Sequence, residues 1–209
     1  MSARPSYREQ VLRIKEDAIV DAVNRLLALK GYDQMTVDEV AAEAGMAKAS
    51  LYKHFTSKEE LAAAAMVRVL DQALAMVEGL RSLDAEQPDP GLRALARLKA
   101  VARWAMQSQL AGQMPSLPAQ NSSLSNSLQS NDAYMNRLIE LSNRLSTWIT
   151  EAQTGGQINP EFPAELILYS LFARACDPVV GMLQSSGLYT DAQILDWVTT
   201  TTFEGLRAR

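Results

Sequence analysis

The chain holds one cysteine, Cys176, and one histidine, His54, among its 209 residues. A single thiol forms no disulfide within the chain, which fits a reducing compartment. Zinc sites built from Cys and His need several such ligands, so neither they nor any other metal centre is expected. A Ser-His-acid triad would have to use His54, and no G-x-S-x-G accompanies it. Walker A and G-x-G-x-x-G sequences are absent, so no cofactor is implied. Carboxylate-only mechanisms stay open, but no acid pair stands out, and an enzyme has little support. Glycine and proline are sparse and clustered, and no strand pattern or fixed repeat is visible. The N-terminus MSARPSYREQ lacks the apolar core of a signal peptide, and the run Leu61 to Val67 is far too short for a membrane span. The expected location is the cytoplasm.

What is present favours an all-α fold. Ala and Leu are frequent, and four sites match the capping box, in which a Ser or Thr caps a helix and Glu or Gln three residues later reaches back: Ser6/Glu9, Thr36/Glu39, Ser57/Glu60 and Thr190/Gln193. A first helix carries the stripe Ile19, Val23, Leu26, Leu27 and stops at Gly31. Before it, residues 1–15 either extend the helix back to Ser6 or form a mobile arm holding Arg4, Arg8, Arg13 and Lys15. A short second helix buries Val37, Val40, Ala41 and Ala44 and breaks at Gly45. A third runs from Lys48 to His54 with Leu51 and Phe55 inward. Ser57 caps a long fourth helix that stops before the loop DAEQPDPG, residues 84–91. Leu95, Leu98, Ala102, Ala105 and Met106 mark another helix. Residues 112–130, with Pro115 and Pro118, read as a loop containing at most a short helical piece. Tyr134, Leu138, Leu141, Leu145, Trp148 and Ala152 repeat at helical spacing up to Gly155-Gly156. Pro163 to Ser186 is a helix kinked at Pro178, and Thr190 starts the last one, which runs to about Leu206.

Charge is where the sequence becomes specific. The formal net charge is −4, yet residues 45–61, GMAKASLYKHFTSKEEL, place Lys48, Lys53, His54 and Lys58 together with no acid before Glu59. Two short helices joined by a Gly-containing turn make a helix-turn-helix, whose second helix enters the DNA major groove with its leading residues at the base edges. Those residues are Lys48, Ala49 and Ser50, with Lys48 able to donate to guanine. Tyr52, Lys53 and His54 then reach phosphates, while Lys58 and Thr36 sit at helix starts that favour an anion. Local positive potential is what counts, since charges beyond roughly 8 Å are screened at physiological salt. Asp38, Glu39 and Glu43 belong to the preceding helix and are expected to face away.

Residues 36–61, TVDEVAAEAGMAKASLYKHFTSKEEL, resemble the DNA-binding signature of the tetracycline-repressor (TetR) family of bacterial transcription regulators, most specifically in L-Y-x-x-F-x-S-K-E-x-L from Leu51 to Leu61. The resemblance covers about the first 60 residues. It implies a helix-turn-helix head, residues 1–56, and a ligand-binding and dimerisation domain, residues 57–209. It implies a homodimer, here through residues 163–186 and 190–207, and a small-molecule effector; the expected mechanism is a repressor released from a palindromic double-stranded DNA operator, although the residues do not distinguish a repressor from an activator. Its DNA-contact positions fall on Thr36, Lys48, Ala49, Ser50, Tyr52, Lys53, His54 and Lys58. Ala47 and Ala49 depart from the Ser and Gly frequent in the family.

For the effector, Trp104, Met106, Met114, Met135, Trp148 and Cys176 are candidate pocket residues, although Met or Trp on a helical stripe is ordinarily core. Arg174 either pairs with Asp177 three residues on, serves the dimer seam, or orients an anionic ligand. Two rival readings remain: a helical small-molecule-binding protein with a DNA-incompetent head, and a helical enzyme.

Overall fold

The computed structural model describes residues 6–80, 87–116 and 122–205. Over these the chain is all-α: α1 Tyr7–Gln34, α2 Val37–Glu43, α3 Lys48–Leu51, α4 Lys58–Gly79, α5 Pro90–Leu110, α6 Ser123–Gln129, α7 Asp132–Thr154, α8 Ala164–Ala173, α9 Pro178–Ser185 and α10 Asp191–Gly205. Arg4, Pro118, Leu206 and the first part of the 84–91 loop lie outside the described residues.

Capping chemistry sets the helix starts. Ser6 Oγ accepts the Glu9 amide at 3.3 Å, and the Glu9 carboxylate accepts the Ser6 amide at 2.6 Å, so α1 does reach back to Ser6. Thr36/Glu39 and Thr190/Gln193 close the same reciprocal pair. Ser57 caps α4 at 3.0 Å, but Glu60 reaches past it to the amide and hydroxyl of Thr56, at 2.6 and 2.7 Å. Gly31 takes φ +75° and interrupts α1 one turn before its end.

Two expected helices are shorter than their patterns suggest. The third ends at Leu51 rather than His54, and residues 52–54 continue as turns, with the His54 amide donating to the Leu51 carbonyl at 2.9 Å. Pro178 breaks the 163–186 segment instead of kinking it. After α8 comes a 3-10 turn, Arg174–Cys176, then Asp177 in extended backbone, whose carboxylate accepts the Val179 amide at 2.9 Å to start α9. The proline has no N–H to continue the helix and pushes its predecessor out of the helical region.

One apolar core joins Ile19, Val23 and Leu27 of α1, Val40 of α2, Leu51 of α3 and Leu61, Ala62 and Met66 of α4. Leu124 and Leu128 of α6 are buried in that same core, so a distant segment completes the N-terminal helices. A second core lies among α5, α7 and α8, around Leu98, Val101, Leu145, Ile149 and Ile167. A third joins Met106 of α5 to Val180, Ile194, Leu195 and Val198.

The start of α5 meets the end of α7 through backbone. A Cβ on Gly155 would lie 2.7 Å from Gly91 Cα. Gly155 has φ −77°, so alanine is conformationally allowed there and only the contact objects. Gly155→Ala is expected to lower the thermal midpoint, because overpacking costs about 1–3 kcal/mol and outweighs a helix-propensity gain of at most about 1 kcal/mol. An unchanged midpoint in calorimetry would mean that the two helix ends part freely.

Candidate nucleic-acid interface

Gly45, at φ +66°, turns the chain from α2 into α3, and Ala47 precedes α3 without any side-chain cap. Leu51 is fully buried and pins α3 to the head core, which leaves Lys48, Ala49, Tyr52 and Lys53 exposed and Ser50 half-buried. The leading end of this four-residue helix therefore stands on the outside, as its sequence requires.

The acids of α2 do not all face away. Asp38 lies 2.9 Å from Lys48 Nζ and holds its pKa above the usual lysine value through the hydrogen bond. Their side chains are 72% and 47% exposed, and such a pair is weak in water, so Lys48 can exchange Asp38 for a stronger anion. Glu43 is drawn off by Arg25 at 2.9 Å. Glu39 pairs with Lys30 of α1 and with the hydroxyl and amide of Thr36. Lys30 first, and then Thr36, depress its pKa to about 2. The start of α2 at Thr36 is thus already occupied by the chain's own carboxylate, which an incoming phosphate would have to displace.

His54 also differs from expectation. Its side chain is 7% exposed and turns toward α1, with Nδ1 3.4 Å from Glu16 Oε1. The turn after Leu51 follows that anchor inward, so the imidazole braces α3 against α1 rather than reaching out.

Lys58, in the first turn of α4, places Nζ 4.3 Å from the Tyr32 ring centroid, a cation–π contact. Beneath it, the Tyr32 hydroxyl donates to Glu59 Oε1 at 2.7 Å and Ser123 Oγ donates to the same oxygen at 2.9 Å. Burial is the largest cause pushing the Tyr32 phenol up to about 12, with Glu59 adding to it against the opposing Ser123 hydrogen bond. The sequence reading missed Tyr32, Glu59 and Ser123 as a group. Tyr32 and Ser123 are separated by 91 positions, and no local pattern links them.

The candidate pocket residues are not gathered in one place. Trp104 and Trp148 border the second core, and Trp148 lies 5.1 Å from the Arg97 guanidinium carbon. Met106 is buried in the third core, Met114 is buried, and Met135 and Cys176 are half-buried. Arg174 makes the i,i+3 pair with the buried Asp177 at 2.6 Å. An open cavity of about 670 Å³ lies instead between α1 and α4, around Arg68, which pairs with Asp17 and Asp21. Among the described residues, no group of three His, Cys, Asp or Glu is arranged to hold a metal.

Residues 19–65, which contain α2, α3 and the turn between them, match the bacterial regulatory proteins, tetR family. The head of this chain is similar to the TetR-family DNA-binding domain over those residues. An uncharacterised HTH-type transcriptional regulator of Mycobacterium tuberculosis is 41% identical over 58 residues, 28% of this chain and 29% of that protein. The biofilm operon negative transcriptional regulator IcaR of Staphylococcus aureus is 44% identical over 46 residues, 22% of this chain and 25% of that one. The chain therefore spans less than a third of the length of these curated relatives. Over nearly the whole chain, the fatty acid degradation regulator FadR of Bacillus halodurans has the same fold. Its TM-score is 0.63 at 20% identity, covering 99% of this chain and 100% of that one. FadR of Bacillus subtilis, solved in complex with stearoyl-CoA, gives a TM-score of 0.63 at 18% identity, covering 91% and 99%.

Proposed function

We propose that this chain is a TetR-family ligand-responsive DNA-binding transcription regulator, a repressor that binds a palindromic operator as a homodimer and is released by a small molecule. The observation carrying this is the leading end of α3, exposed on the head and held there by Leu51. Lys48, Ala49 and Ser50 face base edges. Tyr52, Lys53 and Lys58 take phosphates, and Thr36 does so once Glu39 gives way. His54 keeps α3 at its angle from behind. Residues 1–56 act as the reading head and residues 57–209 as the effector and pairing domain.

Pairing uses residues 163–186 and 190–207. Tyr169 on α8, Met182 on α9 and Trp197 on α10 are 66%, 72% and 46% exposed, which puts large apolar side chains on each helix of the proposed pairing segments. Residues Ala164–Ser185 are long and apolar enough to cross a membrane, but the helix is broken at Asp177-Pro178. A second copy of the same surface, related by a two-fold axis, accounts for this apolar stretch in a soluble, cytoplasmic protein. The effector is a small molecule received among α5, α7 and α8, where Trp104 and Trp148 border the core. The B. subtilis FadR was solved with stearoyl-CoA, whose acyl chain is apolar and whose coenzyme part is anionic, and this supports a ligand with an apolar portion.

Selection of bound duplexes from a random DNA pool tests the reading. Two inverted half-sites spaced by about 34 Å, one helical turn, are expected. Failure to retain any duplex at low salt would remove the regulator assignment. On the recovered duplex, Lys58→Ala should reduce the slope of log affinity against log salt by about two units, one for each subunit. An unchanged slope takes Lys58 off the contact surface.

A further inference from the structure

We infer that Tyr32, Glu59 and Ser123 form a junction that makes the placement of the DNA-facing Lys58 depend on where α6 sits. The inference rests on the regulator reading above and names a route for its control. The three residues come from the last turn of α1, the first turn of α4 and the first turn of α6. Both hydroxyls lie within hydrogen-bond reach of one oxygen, Glu59 Oε1, at 2.7 and 2.9 Å. Tyr32 Oη and Ser123 Oγ also lie 3.1 Å apart, within hydrogen-bond distance with either as donor, so the two hydroxyls and the carboxylate close a three-way network.

Lys58 is the next residue back from Glu59, and it rests on the ring whose hydroxyl Glu59 holds. Its second anchor, the Asp33 carbonyl at 3.4 Å, belongs to the same α1 turn. Lys58 therefore follows the tilt of Tyr32, and Tyr32 follows Glu59 and Ser123.

The α5–α6 segment is the part of the effector domain that reaches into the head here. Asn24 Nδ2 donates to the Gln113 carbonyl at 2.7 Å, and Ser116 Oγ lies 3.4 Å from the Leu27 carbonyl. Leu124 and Leu128 fill the head core behind the junction. A shift of α6 must drag these buried leucines and break both Ser123 contacts at once. A rearrangement of the middle helices thus reaches Lys58 directly, beside any rigid-body movement of α4.

A double-mutant cycle on the full-length protein separates this role from ordinary support. Ser123→Ala and Tyr32→Phe each remove one hydroxyl, and the latter keeps the ring under Lys58. Each is combined with Lys58→Ala and tested against the pool-selected duplex at fixed salt, with thermal midpoints measured in parallel. Each single variant should weaken binding by about fivefold, within the range of couplings between neighbouring groups. In the Lys58→Ala background the further loss should vanish, and Ser123→Thr should restore wild-type affinity. Losses that simply multiply with that of Lys58→Ala, or no loss in either variant while the wild type binds normally, overturn the junction and leave the regulator reading standing. A wild type that retains no duplex overturns both.

Discussion

Leu51→Ala should shift the urea unfolding midpoint further than any substitution on the exposed face of the head. Leu51 is fully buried among α1, α2 and α4 side chains, and truncating such a leucine costs about 2–5 kcal/mol through lost transfer energy and the cavity left behind. That is a large share of the roughly 5–15 kcal/mol that holds a domain together. The consequence for function is sharper than the number suggests. An isolated four-residue helix does not persist in water, because nucleation is unfavourable and there is almost no propagation to offset it. The α3 segment is helical because Leu51 ties it down. Affinity for the selected duplex should then fall in proportion to the fraction of heads that keep α3 in place. Lys53→Ala, on the exposed side, should leave the urea midpoint nearly unchanged. A Leu51→Ala midpoint equal to wild type would mean that something else presents the reading helix.

The double substitution Met182→Glu with Trp197→Glu should convert a dimer into a monomer of 22.9 kDa in sedimentation equilibrium. Met182 on α9 and Trp197 on α10 are both exposed, and Trp197 packs edge-on against Tyr189, with centroids 5.2 Å apart. In a two-fold interface each substitution occurs twice, so four carboxylates would have to be desolvated without partners. Within one chain Met182 faces water and Trp197 gives up only its edge contact with Tyr189, so the folded monomer should survive both changes. Operator affinity should fall by about 10²–10⁴, the advantage that a second linked head confers through effective concentration. A wild-type protein that already sediments as a monomer, or a variant that remains dimeric, would move the pairing surface elsewhere.

The features legible in the sequence share a range of about four residues. Ser6 with Glu9, Thr36 with Glu39 and Thr190 with Gln193 close where the pattern says, because a cap depends on backbone amides within one turn. Gly31 interrupts α1 at its expected place, since only the local backbone decides whether φ can be positive. The exposure of Lys48 and Ala49 against the burial of Leu51 follows from helical spacing alone. Arg174 with Asp177 is likewise an i,i+3 pair. Where two local options competed, the reading slipped: Glu60 chose Thr56 over Ser57.

Local chemistry in the sequence therefore determined the helices, their caps and the outward face of α3, because those energies are settled inside a single turn of backbone. Tertiary structure alone decided the inward turn of His54 to Glu16, the capture of Lys48 by Asp38, and the meeting of Tyr32, Glu59 and Ser123. It also decided that α6 lends Leu124 and Leu128 to the head core. Each of these depends on the angle and register at which separate helices cross. Those are set by the packing of whole apolar faces, which no short stretch of residues encodes.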